Sequence, residues 1–188
     1  MGEGVHPDGS WPRLLAGRLA SPDGPSSLEV VGRTGMTVAE VHEALGAAAA
    51  TFDLVALQAG VNDHYRGGSP AGCAADFDRL AAAAVVLAGG RPGRVLALSI
   101  PDWSVTPHAA GRDRRAVAAG IDDFNDALRE AAAGRGIRWV DVTEVSRTSG
   151  AEPRMLARDG LHPSALQYAR WLERIEPAAA AALGDAAD

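Results

Sequence analysis

Short apolar runs alternate with helix-length segments along this chain. Residues 53–58, 94–100 and 137–142 are rich in valine, leucine, isoleucine or alanine, and a polar loop follows each of them. Strands separated by helix-length connections pair in parallel, and the connecting helices then cover both faces of the sheet. The alternation therefore predicts an α/β three-layer sandwich around a central parallel sheet.

A further strand and four helices complete the predicted order of elements. Residues 28–31 are predicted to form a short strand that ends at Gly32. Thr37 and Glu40 have the spacing of a capping box, which predicts a helix that runs to about Ala50. The other predicted helices cover residues 74–88, 114–133 and 165–183. Neither a repeat nor a linker interrupts these elements, so residues 1–188 are expected to form a single domain.

Charge argues against a nucleic-acid partner. The chain of 188 residues has a net charge of -6 and no basic stripe that would neutralise phosphates. Its densest basic cluster, Arg112 to Arg115, is interrupted by Asp113. We interpret that cluster as the solvated start of a helix, with a patch for an acidic ligand as the alternative.

The apolar segments and the cysteine content indicate in which cellular compartment the protein is expected. No run approaches the roughly 18 apolar residues of a membrane span, and the first residues lack the basic and apolar regions of a signal peptide. The single cysteine, Cys73, excludes a disulfide within the chain and is typical of a reducing compartment. A cytoplasmic protein without a membrane span is therefore expected.

Two predicted loops contain residues whose side chains could take part in catalysis. Segments 60–72 and 143–162 follow predicted strands, and ligands of open α/β sheets bind beyond the carboxyl ends of the strands. His162 is the candidate general base, because an imidazole titrates near neutrality and can take and return a proton. Asp159, three residues earlier, can accept from the other ring nitrogen and hold the tautomer. A turn at Asp159 before a helix boundary is the alternative interpretation.

Asn62 and Gly35 are candidate donors to an oxyanion. Asn62 offers a side-chain NH2 in the loop after an apolar run, and Gly35 offers a backbone N–H in the turn after the first predicted strand. The alternative interpretations are that Asn62 only forms an Asx turn and that Gly35 is only a glycine required by a turn. His64 and His108 lie in predicted loops at the same edge and are candidates for contact with a substrate.

The sequence predicts neither a cofactor nor a metal ion. It contains no phosphate-binding loop and no dinucleotide fingerprint after a strand. Its histidines and carboxylates lack the close spacing of metal ligands, and there are no paired cysteines.

The ordered blocks resemble the SGNH/GDSL hydrolase family of esterases and lipases. Gly35 is similar to the family's glycine, and Asn62 within Gly60–Asp63 is similar to its asparagine. Asp159 and His162 are similar to its closing block. The resemblance implies the flavodoxin-like fold of that family, a small-molecule ester as substrate, Gly35 and Asn62 as the oxyanion hole, and a catalytic role for the closing block.

The family's first block, a Gly-Asp-Ser at the end of the first strand, has no counterpart in the chain. By the resemblance its nucleophilic serine would lie immediately before Met1, so no nucleophile is assigned within the sequence. Ser10 and Ser164 are interpreted as residues that cap helices, and Ser99 as a strand residue. The first strand lies inside the family's sheet, so we expect the natural protein to start further upstream and residues 1–188 to lack that strand.

Two functional hypotheses follow from these residues. The first is a serine-type carboxylic ester hydrolase that acts on small acyl esters through an acyl-enzyme. The second is a catalytically inactive, truncated relative that binds an acyl or glycan ligand without turnover. Small residues between Gly67 and Gly72 favour an open, shallow site suited to short acyl groups.

Overall fold

The structure, a computed structural model, describes most of the chain. The residues that it describes are 4–20, 27–46 and 50–184. They contain three strands: β1 (Val55–Leu57), β2 (Val95–Leu98) and β3 (Arg138–Val140). Within the same residues, the α-helices are α1 (Trp11–Leu19), α2 (Val38–Leu45), α3 (Val61–Tyr65), α4 (Pro70–Leu87), α5 (Arg114–Gly134), α6 (Thr143–Ser149) and α7 (Ala165–Gly184).

The three strands form one parallel sheet with β2 in the centre. Val55 lies opposite Val95 where β1 pairs with β2, and Leu98 lies opposite Val140 where β2 pairs with β3. All three strands run in the same direction, so their carboxyl ends lie at one edge of the sheet. The loops that follow them are therefore neighbours in space.

Side chains of β2 alternate between two apolar cores. Val95 and Ala97 pack with α2, α4 and α5, whereas Leu96 and Leu98 pack with α1 and α7. All four are buried, as expected of a parallel strand that is covered on both faces. Helices thus lie on both sides of the sheet, which confirms the predicted α/β class and its three layers.

The start of α2 is confirmed, but its predicted end is not. The Thr37 side chain accepts from the N–H of Glu40, and the Glu40 carboxylate accepts from the N–H of Thr37 at 2.7 Å. These two bonds form the capping box expected from the sequence. The helix ends at Leu45, because Gly46 adopts a φ of +58° and turns the chain away. The predicted helix also included residues 47–49, which lie outside the described residues.

Two segments predicted to be loops contain helices. Segment 60–72 includes α3 and the start of α4, and segment 143–162 includes α6. Helices of one or two turns have too few residues to show the 3.6-residue periodicity that distinguishes helices in a sequence.

The strand predicted at residues 28–31 is not formed. These residues pair with no strand in the described part of the chain. Val30 is 45% exposed and Val31 is 38% exposed, which is unusual for residues meant to lie in a parallel sheet. The pattern was that of a strand, but a strand also needs a hydrogen-bonded neighbour, and a cavity separates this segment from β1.

That cavity, which we call the β1 groove, has a volume of about 1100 Å³. It runs along β1 between residues 27–36 and helices α1 and α7. β1 pairs with β2 along one edge, and no described residue pairs with its other edge. The side chains of Val55 and Ala56 are accordingly half-buried, in contrast to the fully buried β2.

None of the helices in the described ranges combines the length and the apolar character that crossing a bilayer would require.

Gly120→Ala is expected to destabilise the fold. A Cβ at this position of α5 would lie 2.7 Å from Nε2 of His64. The His64 ring packs against Trp103 and Phe124, with ring centroids 6.0 and 5.3 Å away, so it has little room to retreat. Overpacking costs about 1–3 kcal/mol, which exceeds the gain of about 1 kcal/mol from alanine in a helix. Urea unfolding should therefore give a lower free energy of unfolding.

Gly134→Ala is the matched control on the same helix. A Cβ at Gly134 would have no heavy atom within 4 Å, apart from its own neighbours in the helix. Its free energy of unfolding should equal or exceed that of the unmodified protein. If Gly120→Ala were as stable as this control, the close packing of His64 against α5 would be contradicted.

Candidate active site

A tight loop between α6 and α7 presents His162. The N–H of Ala157 donates to the carbonyl oxygen of His162 at 2.7 Å. The N–H of Ser164 donates to the carbonyl oxygen of Met155 at 2.8 Å, and the Met155 side chain is fully buried. These contacts hold the backbone on both sides of the histidine.

Asp159 holds the ring of His162. Nδ1 of His162 donates to Oδ2 of Asp159 at 2.6 Å. The other carboxylate oxygen accepts from the N–H groups of Leu161 and His162, at 2.9 and 3.0 Å. Because the carboxylate takes Nδ1, the tautomer is fixed and Nε2 is left as the proton acceptor. Nε2 makes no hydrogen bond to any described residue.

The same contacts keep Asp159 ionised. Burial alone would raise the pKa of this carboxyl. The hydrogen bonds from the His162 ring and from the N–H groups of Leu161 and His162 outweigh that effect and lower the pKa below its ordinary value. At neutral pH the group is therefore a carboxylate that can stabilise a protonated imidazole.

Asn62 lies in the first turn of α3, directly beyond β1. Gly60 makes the connection with a φ of +114°, and a Cβ there would lie 3.0 Å from Ile100 and 3.1 Å from Leu128. This position accordingly favours glycine. Nδ2 of Asn62 donates to the carbonyl oxygen of Met36 at 2.9 Å. A side-chain amide has two N–H bonds, so one holds the group in place and the other has no acceptor among the described residues.

Gly35 supplies a backbone donor next to this amide. It adopts a φ of +90° in the turn before α2, and its carbonyl oxygen accepts from Nη2 of Arg66 at 2.7 Å. Its N–H makes no hydrogen bond within the described part of the chain. Because Asn62 bonds to the following residue, Met36, the two candidate donors lie close together.

Helix α3 also contacts the start of α2, which follows this turn. Oδ2 of Asp63 accepts from the N–H of Val38 at 3.0 Å. Burial raises the pKa of Asp63, although the bond from Val38 opposes that shift. Together with the bond from Arg66, this contact orients the glycine turn relative to Asn62.

Gly35, Asn62 and His162 all line the β1 groove. Asp159 is not among the residues that line it, and it contacts the His162 ring through the bond described above. Three of the four residues singled out from the sequence thus line one cavity, and the fourth bonds to the ring of His162. A candidate base with a fixed tautomer and two candidate anion donors are groups that acyl transfer requires in addition to a nucleophile.

The three serines considered in the sequence have other bonding partners. Ser99 is buried at the end of β2. Ser10 precedes α1, but its Oγ donates to the carbonyl oxygen of Pro7 at 2.7 Å and does not cap the helix. Ser164 donates to the carbonyl oxygen of Arg154 at 2.8 Å. None of these three hydroxyls bonds to the ring of His162.

The two further histidines differ in their surroundings. His108 lines the β1 groove, and its contact with a substrate stays a prediction. His64 does not line it and packs against Trp103 and Phe124 instead. Burial lowers the pKa of His64, although Asp102 opposes the shift, so its ring is a neutral packing element.

An aromatic cluster beside His108 was not identified from the sequence. The rings of Tyr65 and Trp103 lie 5.5 Å apart, and the ring of His108 lies 6.0 Å from that of Tyr65. All three residues line the β1 groove. The position of Trp103 just after β2 was the one available signal, because loops at that edge of a sheet carry ligand contacts.

Comparisons with known proteins agree with this fold. The crystal structure of TesA superposes with a TM-score of 0.70 at 25% identity and covers 93% of this chain and 89% of that one. A member of the lipolytic protein G-D-S-L family from Veillonella parvula gives 0.63 at 16% identity, with 97% and 90% covered. A phospholipase A1 from Streptomyces albidoflavus gives 0.57 at 19% identity, with 86% and 82% covered. Because the last two structures are less than 25% identical to this chain, they show a shared fold only.

The sequence comparisons gave a family but no individual relative. No curated protein matches the chain. The GDSL-like lipase/acylhydrolase family matches residues 1–170, which is nearly the whole sequence. The predicted resemblance is thereby confirmed, and the chain belongs to the GDSL-like lipase/acylhydrolase family.

Proposed function

We propose that the protein is a serine-type carboxylic ester hydrolase that acts on small acyl esters through an acyl-enzyme. The observation that carries this proposal is the position of His162, Asn62 and Gly35 in one cavity. The bond of Asp159 to the histidine supports it, because a general base in acyl transfer needs an oriented ring.

In the proposed reaction, Nε2 of His162 removes the proton of a serine hydroxyl while the serine oxygen bonds to the ester carbonyl carbon. The carbonyl oxygen becomes an oxyanion, to which the N–H groups of Asn62 and Gly35 donate. The bond from the carbonyl carbon to the alcohol oxygen then breaks, and His162 protonates that oxygen. Water, deprotonated by the same ring, releases the carboxylic acid and restores the serine.

We further propose that the serine is carried by an extended segment that precedes Met1 and lies in the β1 groove. The open edge of β1 supports this placement, because backbone groups of an interior strand require partners. The exposure of Val30 and Val31 supports it as well, since a strand between them and β1 would cover both.

The position of Gly4 is compatible with such a segment. A Cβ at Gly4 would lie 3.0 Å from the Cβ of Ala157, and Ala157 bonds to His162. A segment that leads into Gly4 thus approaches the histidine. A strand parallel to β1 would end at this same edge of the sheet.

An extension Lys-Val-Val-Val-Leu-Gly-Asp-Ser joined to Met1 is expected to add both stability and activity. A strand paired with β1 would form several backbone hydrogen bonds, each worth about 0.5–1.5 kcal/mol. The melting temperature should rise by at least about 5 °C. Hydrolysis of 4-nitrophenyl acetate should appear with a burst, because acylation releases the chromophore before water releases the acid.

The same extension ending in Gly-Asp-Ala is the matched control. It should raise the melting temperature equally and show no burst. If both extensions stabilise the protein and neither hydrolyses the ester, the second hypothesis, a binding protein without turnover, replaces the first. If neither stabilises it, the placement of a strand in the β1 groove is wrong.

In the serine-bearing protein, substitution of Asp159 tests the orientation of the histidine base, and substitution of Asn62 tests the oxyanion hole. Asp159→Asn should lower kcat by about 10⁴-fold, because an amide in this place favours the wrong tautomer of His162. Asn62→Ala should lower kcat by about 10²–10³-fold, the effect of losing one oxyanion donor. Both changes should leave KM within a few fold. Steady-state kinetics on 4-nitrophenyl acetate measures these values.

Asp123→Asn serves as the control for the loss of a carboxylate. Asp123 lies on the exposed side of α5, and its side chain makes no hydrogen bond or ion pair with a described residue. Its kcat should match that of the unmodified protein. If the Asp159 variant behaved like this control, Asp159 would have no part in catalysis.

A further inference from the structure

Arg112 is held over the aromatic cluster at the edge of the β1 groove. Its guanidinium carbon lies 5.1 Å from the ring centroid of Tyr65 and 5.3 Å from that of Trp103. Its Nη2 donates to the hydroxyl oxygen of Tyr65 at 3.3 Å. Two rings and a hydrogen bond therefore fix a side chain that would otherwise be mobile at the surface.

The charge of Arg112 has no counter-ion in the described part of the chain. Arg112 forms no ion pair with a described carboxylate. The nearest carboxylate in sequence, Asp113, uses Oδ1 to accept from the N–H groups of Arg115 and Ala116 at the start of α5. Because one guanidinium nitrogen bonds to Tyr65, the N–H groups on the other nitrogens remain available for an anion.

The cluster adjoins the candidate active site. The ring of Tyr65 lies beside that of His108, whose Nε2 is 3.4 Å from the Tyr65 hydroxyl. Pro107 lies against the His162 loop, since a Cβ at Gly160 would be 3.8 Å from the Cβ of Pro107.

One donor beneath the guanidinium also lacks a partner. Nε1 of Trp103 is buried and has no acceptor among the residues that the structure describes. Trp103 lines the same groove as His162. Its indole N–H belongs to the ring on which the guanidinium stacks, so its chemical shift reports on changes at Arg112.

We propose that Arg112 binds an anionic group, a carboxylate or a phosphate, on the ester substrate. This inference rests on the proposed function, because it names the class of ester that the site takes. The protein has a net charge of -6, which disfavours anions in general, so an unpaired cation beside the cavity gives local selectivity. Tyr65 and Trp103 hold the guanidinium so that little entropy is lost when the anion binds.

Binding of small anions tests this inference without turnover. The indole N–H signal of Trp103, identified by its loss in Trp103→Phe, is followed by NMR in ¹⁵N-labelled protein at constant low ionic strength. Glutarate is the carboxylate probe, glycerol 3-phosphate is the phosphate probe, and dimethyl glutarate is the neutral control. We expect at least one anion to shift the signal saturably and the neutral diester to leave it in place. The tighter of the two anions identifies which group the substrate carries.

Arg112→Gln should weaken anion binding about tenfold or more, since it removes a charge-assisted contact. Arg115→Gln is the matched control, because it removes the same charge three residues later and should change the dissociation constant by less than about twofold. Equal binding in both variants would overturn the proposal, as would the absence of a shift with either anion or equal binding of the neutral diester. The titrations use residues 1–188, to which no nucleophile is assigned, and they measure binding rather than turnover, so their outcome is independent of whether the protein is a hydrolase.

Discussion

The parallel pairing of β1, β2 and β3 is the constraint on which the candidate site depends. Because the strands share one direction, Asn62 after β1 and Trp103 after β2 emerge at the same edge. The two apolar cores that enclose β2 hold that edge in place. The His162 loop meets it through Pro107, so a candidate base, a candidate oxyanion donor and an aromatic surface come from distant parts of the sequence to this edge.

The parts of the site that depend on local chain geometry were predictable from the sequence. A carboxylate three residues before a histidine is within reach of its ring in one loop, and the bond of Asp159 to His162 has that form. The capping box at Thr37 is a similarly local feature. The strand predicted at residues 28–31 was wrong, because an apolar run forms a strand only when another strand lies beside it, and here it is unpaired and exposed.

The aromatic cluster and Arg112 depend on contacts that no local pattern encodes. Tyr65 and Arg112 are 47 positions apart in the chain, and they meet because α3 and the start of α5 lie at the same edge of the sheet. The sequence identified Arg112 as one member of a basic cluster, and its stacking on Tyr65 separates it from its neighbours. The roles of the four candidate site residues stay a prediction that catalysis must test.

His162 is proposed to activate a serine on a segment before Met1. Intact-mass analysis of the protein isolated from its native cell, before and after reaction with a fluorophosphonate, tests it most directly. We expect a mass above the 19.3 kDa of residues 1–188 and one phosphonyl group on a serine upstream of Met1. A mass equal to that of residues 1–188, or modification of a serine within them, would contradict the claim.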